Sequence, residues 1–443
     1  MSKTTHKKTL IAFCAMAALS GCSGGADSVT RSPFSAIGLG KPAVADSPSA
    51  PALATETPDG TQSEVIAGLL TRRSILPQGP YSQVSSAVLA ANSRVAESDL
   101  RAATLRAEAQ SKNWLPTLGP SVSLTSLGAV VTSLVVEQVL FDNGGKKAER
   151  AYAKADVEVA AVALAQDTNN RVQDALTLYL SAQKAEARAA VNAAAMADME
   201  HFAWIMDERV KGGVSNSVDR MVVQQKLNQM QADMSSDLEA AAAARAELAA
   251  MSAAPLDGVK GTSPLPVELA ATPLAVVKAE AEATRSVAEA KAARAGFLPS
   301  LSAVGAVSGS KSSGGLSIET EDGIGFGLGA SLAAVDQQAE GANARISQVR
   351  EDVERSLRAL EGELSSLQRQ QEQTATLAEG AEANYRSFAE QQRAGQRDVN
   401  DVVSVFESAV RLRREAAALP FEVARVELKI AALKGVLVDG DKI

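Results

Sequence analysis

Aromatic residues make up only 3% of this 443-residue chain, and it carries two cysteines and two histidines. Cys14 and His6 fall in the opening segment, so Cys22 and His201 alone remain for the rest. One cysteine cannot close a disulfide within a chain, and one histidine beside it cannot supply a Cys/His zinc site or a Ser-His-Asp triad in each half of a duplicated chain. Catalysis by carboxylates alone stays formally open. The expectation is of no enzyme, no catalytic residue, no metal and no cofactor. A basic stripe is also missing. The formal charge is −8, and removal of a leader holding Lys3, Lys7 and Lys8 makes the remainder more acidic. Nucleic acid is therefore excluded as a natural partner.

What is present is alanine, 46% hydrophobic residues and 22% charge, a composition of long packed helices rather than bulky globular cores. The chain also says the same thing twice. Trp114-Leu115-Pro116-Thr117-Leu118 returns as Phe297-Leu298-Pro299-Ser300-Leu301, and Gly213 returns, at nearly the same offset, as Gly395. Self-similarity at so long a period sets the architecture. Each copy reads as helix, Leu-Pro, short strands, a very long helix, a glycine turn and a return helix. Asp142 to about Val210 has no proline, and after Gly145 no glycine until Gly212, which predicts on the order of 100 Å of helix. Val172, Leu176, Tyr179 and Leu180 recur at helical spacing. Ala151, Ala155 and Ala175 keep the seam thin, and so long a helix needs lateral neighbours. The second long helix is predicted from Gly341 to about Arg393, and the return helices over Val218–Met251 and Val399–Val436. Gly212-Gly213 and Ala394-Gly395 read as the turns between them. The two repeats span 64–254 and 273–443, and the proline-rich 255–272 is a crossover.

The alternating stretch Gly323 to Leu332 puts Ile324, Phe326, Leu328, Ala330 and Leu332 on one face and glycine or serine on the other, the period of a strand. Val122 and Leu124 against Ser121, Ser123 and Thr125 repeat the pattern. The predicted strands are Thr117–Thr125, Ala129–Leu140, Ser300–Ser310 and Leu316–Leu332, near the ~9–11 residues that cross a bilayer when tilted. Four strands cannot close, and lipid leaves no sheet edge unsatisfied. Two chains give eight strands, which side chains fill; three give twelve, the smallest multiple with room for a passage. The fold class expected is mainly α with a small β part. Internally duplicated long antiparallel helices form an α-helical tunnel, and four strands per chain contribute to a trimeric 12-stranded β-barrel.

The N-terminus has Lys7-Lys8, an apolar run from Leu10 to Leu19 too short to span a bilayer, then Ser20-Gly21-Cys22. Leu19-Ser20-Gly21-Cys22 resembles the lipobox of bacterial lipoproteins. That resemblance implies a signal peptide over 1–21, a lipid on Cys22 and, with Ser23 following, outer-membrane sorting. The Ser-, Gly-, Ala- and Pro-rich stretch after it, within 22–63, reads as a tether.

Val136-Glu137-Gln138-Val139-Leu140-Phe141-Asp142-Asn143-Gly144-Gly145-Lys146 resembles the strand-to-helix junction of TolC-type outer-membrane efflux proteins. The Leu-Pro before each strand pair fits, as do Arg209-Val210-Lys211-Gly212-Gly213 and Arg393-Ala394-Gly395-Gln396-Arg397. The match runs from Ser82 to Leu437. It implies a homotrimer in outer-membrane lipid, extending into the periplasm. A periplasmic adaptor would meet it at the Gly212-Gly213 and Gly395 turns, and an inner-membrane pump or ABC transporter would feed it. Drugs, metal ions and secreted proteins would use the same tube. The second copy departs from the family at Leu332-Ala333-Ala334-Val335-Asp336-Gln337-Gln338, where Leu-Phe-Asp-Gly-Gly is usual. The strands also lack the family's aromatic residues.

The same resemblance places candidate gate residues at the periplasmic end. Asp401 falls on the first acidic position of the family's constriction and Ser404 on the second. Asp219 is the counterpart of Asp401 in copy one. Arg397 matches a position that can tie neighbouring helices shut. Three carboxylates around a narrow axis repel, attract cations and raise one another's pKa. The plainer readings are a helix-start acid for Asp401, a capping or surface acid for Asp219 and a solvated cation for Arg397. Glycine at 213 and 395 is expected because a side chain would block a tight turn. A periplasmic helical lipoprotein without a pore is the competing function.

Overall fold

Two helices of 67 and 66 residues run through the chain, each followed by a shorter helix that folds back along it. The computed structural model describes residues 63–91, 95–124, 130–266, 271–309, 311–320 and 327–442. The leader, Cys22 and nearly all of the tether lie outside the described residues. In chain order the elements are α1 (Glu64–Leu70), α2 (Pro80–Ala90), α3 (Val95–Ser111), β1 (Thr117–Leu124), β2 (Val130–Phe141), α4 (Gly145–Lys211) and α5 (Ser217–Met251). Then come α6 (Leu274–Gly296), β3 (Ser300–Ser308), β4 (Lys311–Glu319), α7 (Leu328–Arg393) and α8 (Val399–Lys434), with a 3-10 turn at Gly440–Lys442.

The long helix α4 packs against α3 and α6 toward the sheet and against α5 and α8 toward the far end, while α7 packs on α6 and α8. Each short pair, α3 with α5 and α6 with α8, thus lines one long helix in two instalments. Alanine makes the approach close: Ala155, Ala161, Ala165, Ala175 and Ala182 of α4 are all buried. Ala151, expected in the seam, is exposed, and Ala153 takes the inward position. Pro420 sits inside α8 without ending it; it withdraws one backbone donor from the ladder.

The main core is a belt around the middle of the helices. Tyr81, Val84 and Val88 of α2 meet Val172, Leu176, Tyr179 and Leu180 of α4, Leu428 of α8 and Val436 to Val438 of the tail. Tyr81 and Tyr179 stack edge to face at 6.3 Å. Burial pushes both hydroxyls up to about 12. The Tyr179 hydroxyl donates to the Gly261 carbonyl at 2.7 Å, pinning the crossover to α4. Arg171 closes the ends of two helices, donating to Val88 O and Ala91 O after α2 and to Met251 O of α5. Ser63, assigned to the tether by sequence, is buried, caps α1 and donates to Glu158 at 2.7 Å. Ser63 therefore belongs to the packed body.

The sheet has order β1-β2-β3-β4, antiparallel throughout. Three strands lie close to their predicted spans. The fourth does not. It ends at Glu319, and the alternating stretch taken for its second half enters α7 from Leu328 onward. Ile324 and Phe326 lie outside the described residues. Leu328, Ala330 and Leu332 are helical, because a period of two over so few residues does not outweigh the run of helix-forming residues that follows. For the same reason α7 starts at Leu328 rather than at the expected Gly341. The departure noted at Leu332–Gln338 is accordingly helix interior. The junction itself is at Gly327, the N-cap of α7, which stands at the repeat offset from Gly144, the N-cap of α4.

Asn169 is the polar tie across the belt. Its Nδ2 donates to Ala432 O at 2.9 Å, and Leu437 N donates to its Oδ1 at 3.2 Å. Ala432 O also accepts from Gly435 N at 2.9 Å, so Asn169→Ala leaves Leu437 N as the backbone group without a partner, and a loss of about 1–3 kcal/mol is expected. It should appear as a lower denaturation midpoint with faster amide exchange at Leu437. Unchanged exchange there would contradict the assignment.

Candidate functional site

Cross-strand partners in an antiparallel ladder point to the same face, so the register sorts the sheet's side chains. Leu118, Val122, Val130, Leu134, Val136, Leu301, Val307, Leu316 and Ile318 share one face. Ser121, Ser133, Glu137, Ser302, Ser308, Ser313 and Glu319 share the other, with Val131, Val135 and Val304 among them. The apolar face is not covered: Leu316 is 70% and Ile318 74% exposed. An uncovered apolar sheet face backed by a serine-rich one suits lipid outside and water inside. Among the described residues only β2 and β3 are paired on both sides, so β1 and β4 each offer an open edge. The β3–β4 hairpin turns at Gly309, whose φ of 58° favours a residue without a Cβ.

At the junction β2 shifts register between Val139 and Phe141. Phe141 itself is exposed. The next four residues turn the chain into α4. Asn143 and Gly144 take φ of 54° and 90°. Asp142 accepts from Gly144 N at 3.1 Å and from Lys146 N, satisfying donors of the first helical turn. Gly145 is closely packed: a Cβ there would stand 3.1 Å from Asp142 Oδ2 and 3.2 Å from Ala295 Cβ, so both neighbours would have to yield by a few tenths of an ångström. Asn143 Nδ2 donates to Pro299 O at 2.9 Å, coupling the first junction to the second Leu-Pro.

At the opposite end the two helix turns are built alike. Val214 N donates to Arg209 O at 2.9 Å and Gln396 N to Gln391 O at 2.8 Å. Each is the closing bond of a Schellman turn, with Gly213 and Gly395 both at φ 72°. A Cβ at either glycine meets nothing within 4 Å. The expectation that a side chain would block these turns is therefore corrected: the demand is conformational, since L-residues other than glycine, Asn or Asp disfavour the left-handed region. Gly212 precedes Gly213 at ordinary helical φ. Across each turn runs a side-chain bond with its roles exchanged. Arg209 Nε donates forward to Ser215 Oγ at 3.2 Å, while Arg397 Nε donates back to Gln391 Oε1 at 2.9 Å. Arg397 also lies 4.4 Å over the Phe388 ring. Within one chain it is thus folded onto its own turn. Arg209 reaches Asp398 at 3.7 Å and links the two turns.

Helix starts follow the same duplication. Asn216 caps α5 by accepting from Asp219 N at 2.8 Å, and Asp398 caps α8 by accepting from Val399 N at 2.7 Å. Asp219 and Asp401 occupy the first turns, where the helix dipole favours an anion. Asp401 and Ser404 are both exposed on one face of α8, and Asp401 has no hydrogen bond or ion pair among the described residues. Lys226 of α5 donates to Ser404 Oγ at 3.3 Å and to Glu407 at 2.6 Å. Half-buried Asp207 is held below the usual carboxylate range by hydrogen bonds from Lys211, then Arg220. Beneath the tip, Phe202, Tyr385 and Phe406 form an aromatic knot, with centroids 4.8 to 6.5 Å apart, joining α4, α7 and α8.

No protein-family profile and no curated protein matches the sequence. Solved structures do. A membrane protein from Pseudomonas aeruginosa is 17% identical over 84% of this chain and 92% of its own, with a TM-score of 0.71. The outer membrane protein VceC from Vibrio cholerae is 15% identical over 81% and 97%, with a TM-score of 0.68. The outer-membrane channel OprN is 18% identical over 88% and 98%, also at 0.68. The chain has the TolC-type fold of these outer-membrane channels. Inside that fold, sequence reasoning missed Asp398, Arg209 and the aromatic knot. Asp398 was detectable, since an aspartate directly before an apolar helix start, at the repeat offset from Asn216, is an N-cap signal. The knot was not, because its members come together only by tertiary packing.

Gly213→Val and Gly395→Val should each cost about 1–3 kcal/mol through left-handed backbone strain. Asn at either position should cost clearly less, because it tolerates that region. Thermal denaturation of the four variants checks this; equal losses for Val and Asn would mean that φ is not the constraint.

Proposed function

We propose that this chain is one of three subunits of an outer-membrane channel-tunnel, the passive exit duct of a tripartite efflux pump or a type I secretion system. The observation that carries the reading is the sheet, apolar and uncovered on one face, serine-rich on the other, and unpaired at both edges. In lipid such edges must be satisfied. Pairing β4 of one chain with β1 of the next does so, and three chains close twelve strands around a passage. Among the described residues no helix is long and apolar enough to cross a membrane. The helices then prolong the barrel as a tunnel. Helix α7 buries only Ala342, Val353, Leu364, Thr374 and Ala378 within its own chain, which leaves a long flank for a neighbouring subunit.

In this reading the energy comes from an inner-membrane pump or ABC transporter, connected by a periplasmic adaptor that meets the turns at Gly212, Gly213 and Gly395. Asp401, exposed and without an ion pair in its own chain, lines the constriction, and Ser404 follows one turn on. Asp219, in the first turn of α5 behind the Asn216 cap, is a surface acid of the outer turn. Arg397 braces the gate from its own hairpin. Cys22 carries the lipid that anchors the tether.

Purified protein in detergent should be trimeric by light scattering and give steady conductance in planar bilayers, blocked by divalent cations. Asp401→Ala should weaken that block several-fold; unchanged block removes Asp401 from the pore. A monomer without conductance ends the proposal.

A further inference from the structure

Below the tip, α4, α5 and α8 enclose a partly open pocket of about 310 Å³. A single water occupies roughly 30 Å³ of liquid, so the space suits a small organic molecule. Asn192 of α4 forms part of its wall and is 1% exposed, and its Nδ2 has no hydrogen-bond partner. A buried donor left unpaired costs stability unless something accepts from it. Arg414, another wall residue, gives its two terminal nitrogens to Asp233 at 2.9 Å and Asp237 at 2.6 Å, yet its buried Nε is also unpartnered. Both orphan groups are donors, so the ligand they suit is an acceptor.

Charge narrows the choice. Lys226, Arg411 and Arg414 line the pocket against Asp233 and Glu407. Glu407 is held by Lys226 and Asp233 by Arg414, while Asp237, which Arg414 also touches, is matched by Arg188 at 3.3 Å. Arg411 has no ion pair or hydrogen bond among the described residues, so one positive charge is left over. A monoanion matches it; a dianion would leave one negative charge uncompensated. Buried Met230 and Val410 add apolar wall, which favours an anion with a hydrocarbon body. We propose that this pocket binds a small monocarboxylate, its oxygens accepting from Asn192 Nδ2 and Arg411 and its apolar part lying against Met230 and Val410. The pocket is complete within one chain, so the proposal does not rest on the channel reading.

The test is calorimetric titration of the full-length protein in detergent with benzoate as probe and benzamide as its neutral counterpart. Benzoate should bind in the millimolar range or tighter and benzamide should not. Arg411→Gln should weaken benzoate about tenfold, Arg411→Lys should retain most of the affinity, and Asn192→Asp should abolish binding by placing a like charge in the wall. Helical circular dichroism of each variant verifies folding. No binding to the wild type at about 50 mM, or undiminished binding in both Arg411→Gln and Asn192→Asp, overturns the proposal and leaves the pocket to water.

Discussion

Backbone hydrogen bonding at the two edges of the sheet is the governing constraint on this fold. A sheet of four strands has two open edges, and an edge that water can satisfy in the periplasm has no partner in hydrocarbon. Here the edges coincide with a lipid-compatible face, formed by Leu118, Val122, Leu134, Leu316 and Ile318. In the proposed channel the sheet is completed by other copies of itself. The long helices inherit that condition. α4, surrounded by four helices, buries alanine after alanine, whereas α7 is left nearly bare along one side.

Inside the chain, order is imposed by a few long-range ties rather than by bulk. With so few aromatics, the two stacked tyrosines of the belt and the Phe202–Tyr385–Phe406 knot near the tip carry unusual weight. Between them the contacts are thin and alanine-lined, which allows close approach but gives little to fix register along a helix. Register is instead set by polar groups with unique partners. Asn169 fastens α4 to the end of α8, Arg171 gathers the ends of α2 and α5, and Asn143 joins the first junction to the second Leu-Pro. Arg414, between Asp233 and Asp237, does the same for α5 and α8.

Duplication explains the geometry of both ends, and its breaks are informative. The two tips share Schellman turns, left-handed glycines and N-caps, yet the bond across each turn runs from Arg209 in one and from Arg397 in the other. At the sheet, Gly144 and Gly327 each begin a long helix, but only the first copy retains the Asp-Asn-Gly-Gly sequence ahead of it. Evolutionary copies therefore preserve backbone shape, which packing demands, more faithfully than the side chains that achieve it.

Local pattern was enough to determine the long helices, the turns at Gly213 and Gly395, the first junction and three of the four strands. Each is specified by neighbours in the chain through helix ladders, glycine conformations and alternation. The start of α7 was within reach of the repeat spacing, but the alternation at Gly323–Leu332 pointed the other way. Tertiary structure alone decided that Ala153 rather than Ala151 faces inward. It also decided that Arg397 bends onto Phe388, and that Asn192, Arg411 and Arg414 surround one cavity. Those outcomes depend on which helix lies alongside, and residues brought together from distant stretches of the chain leave no periodic trace in the sequence.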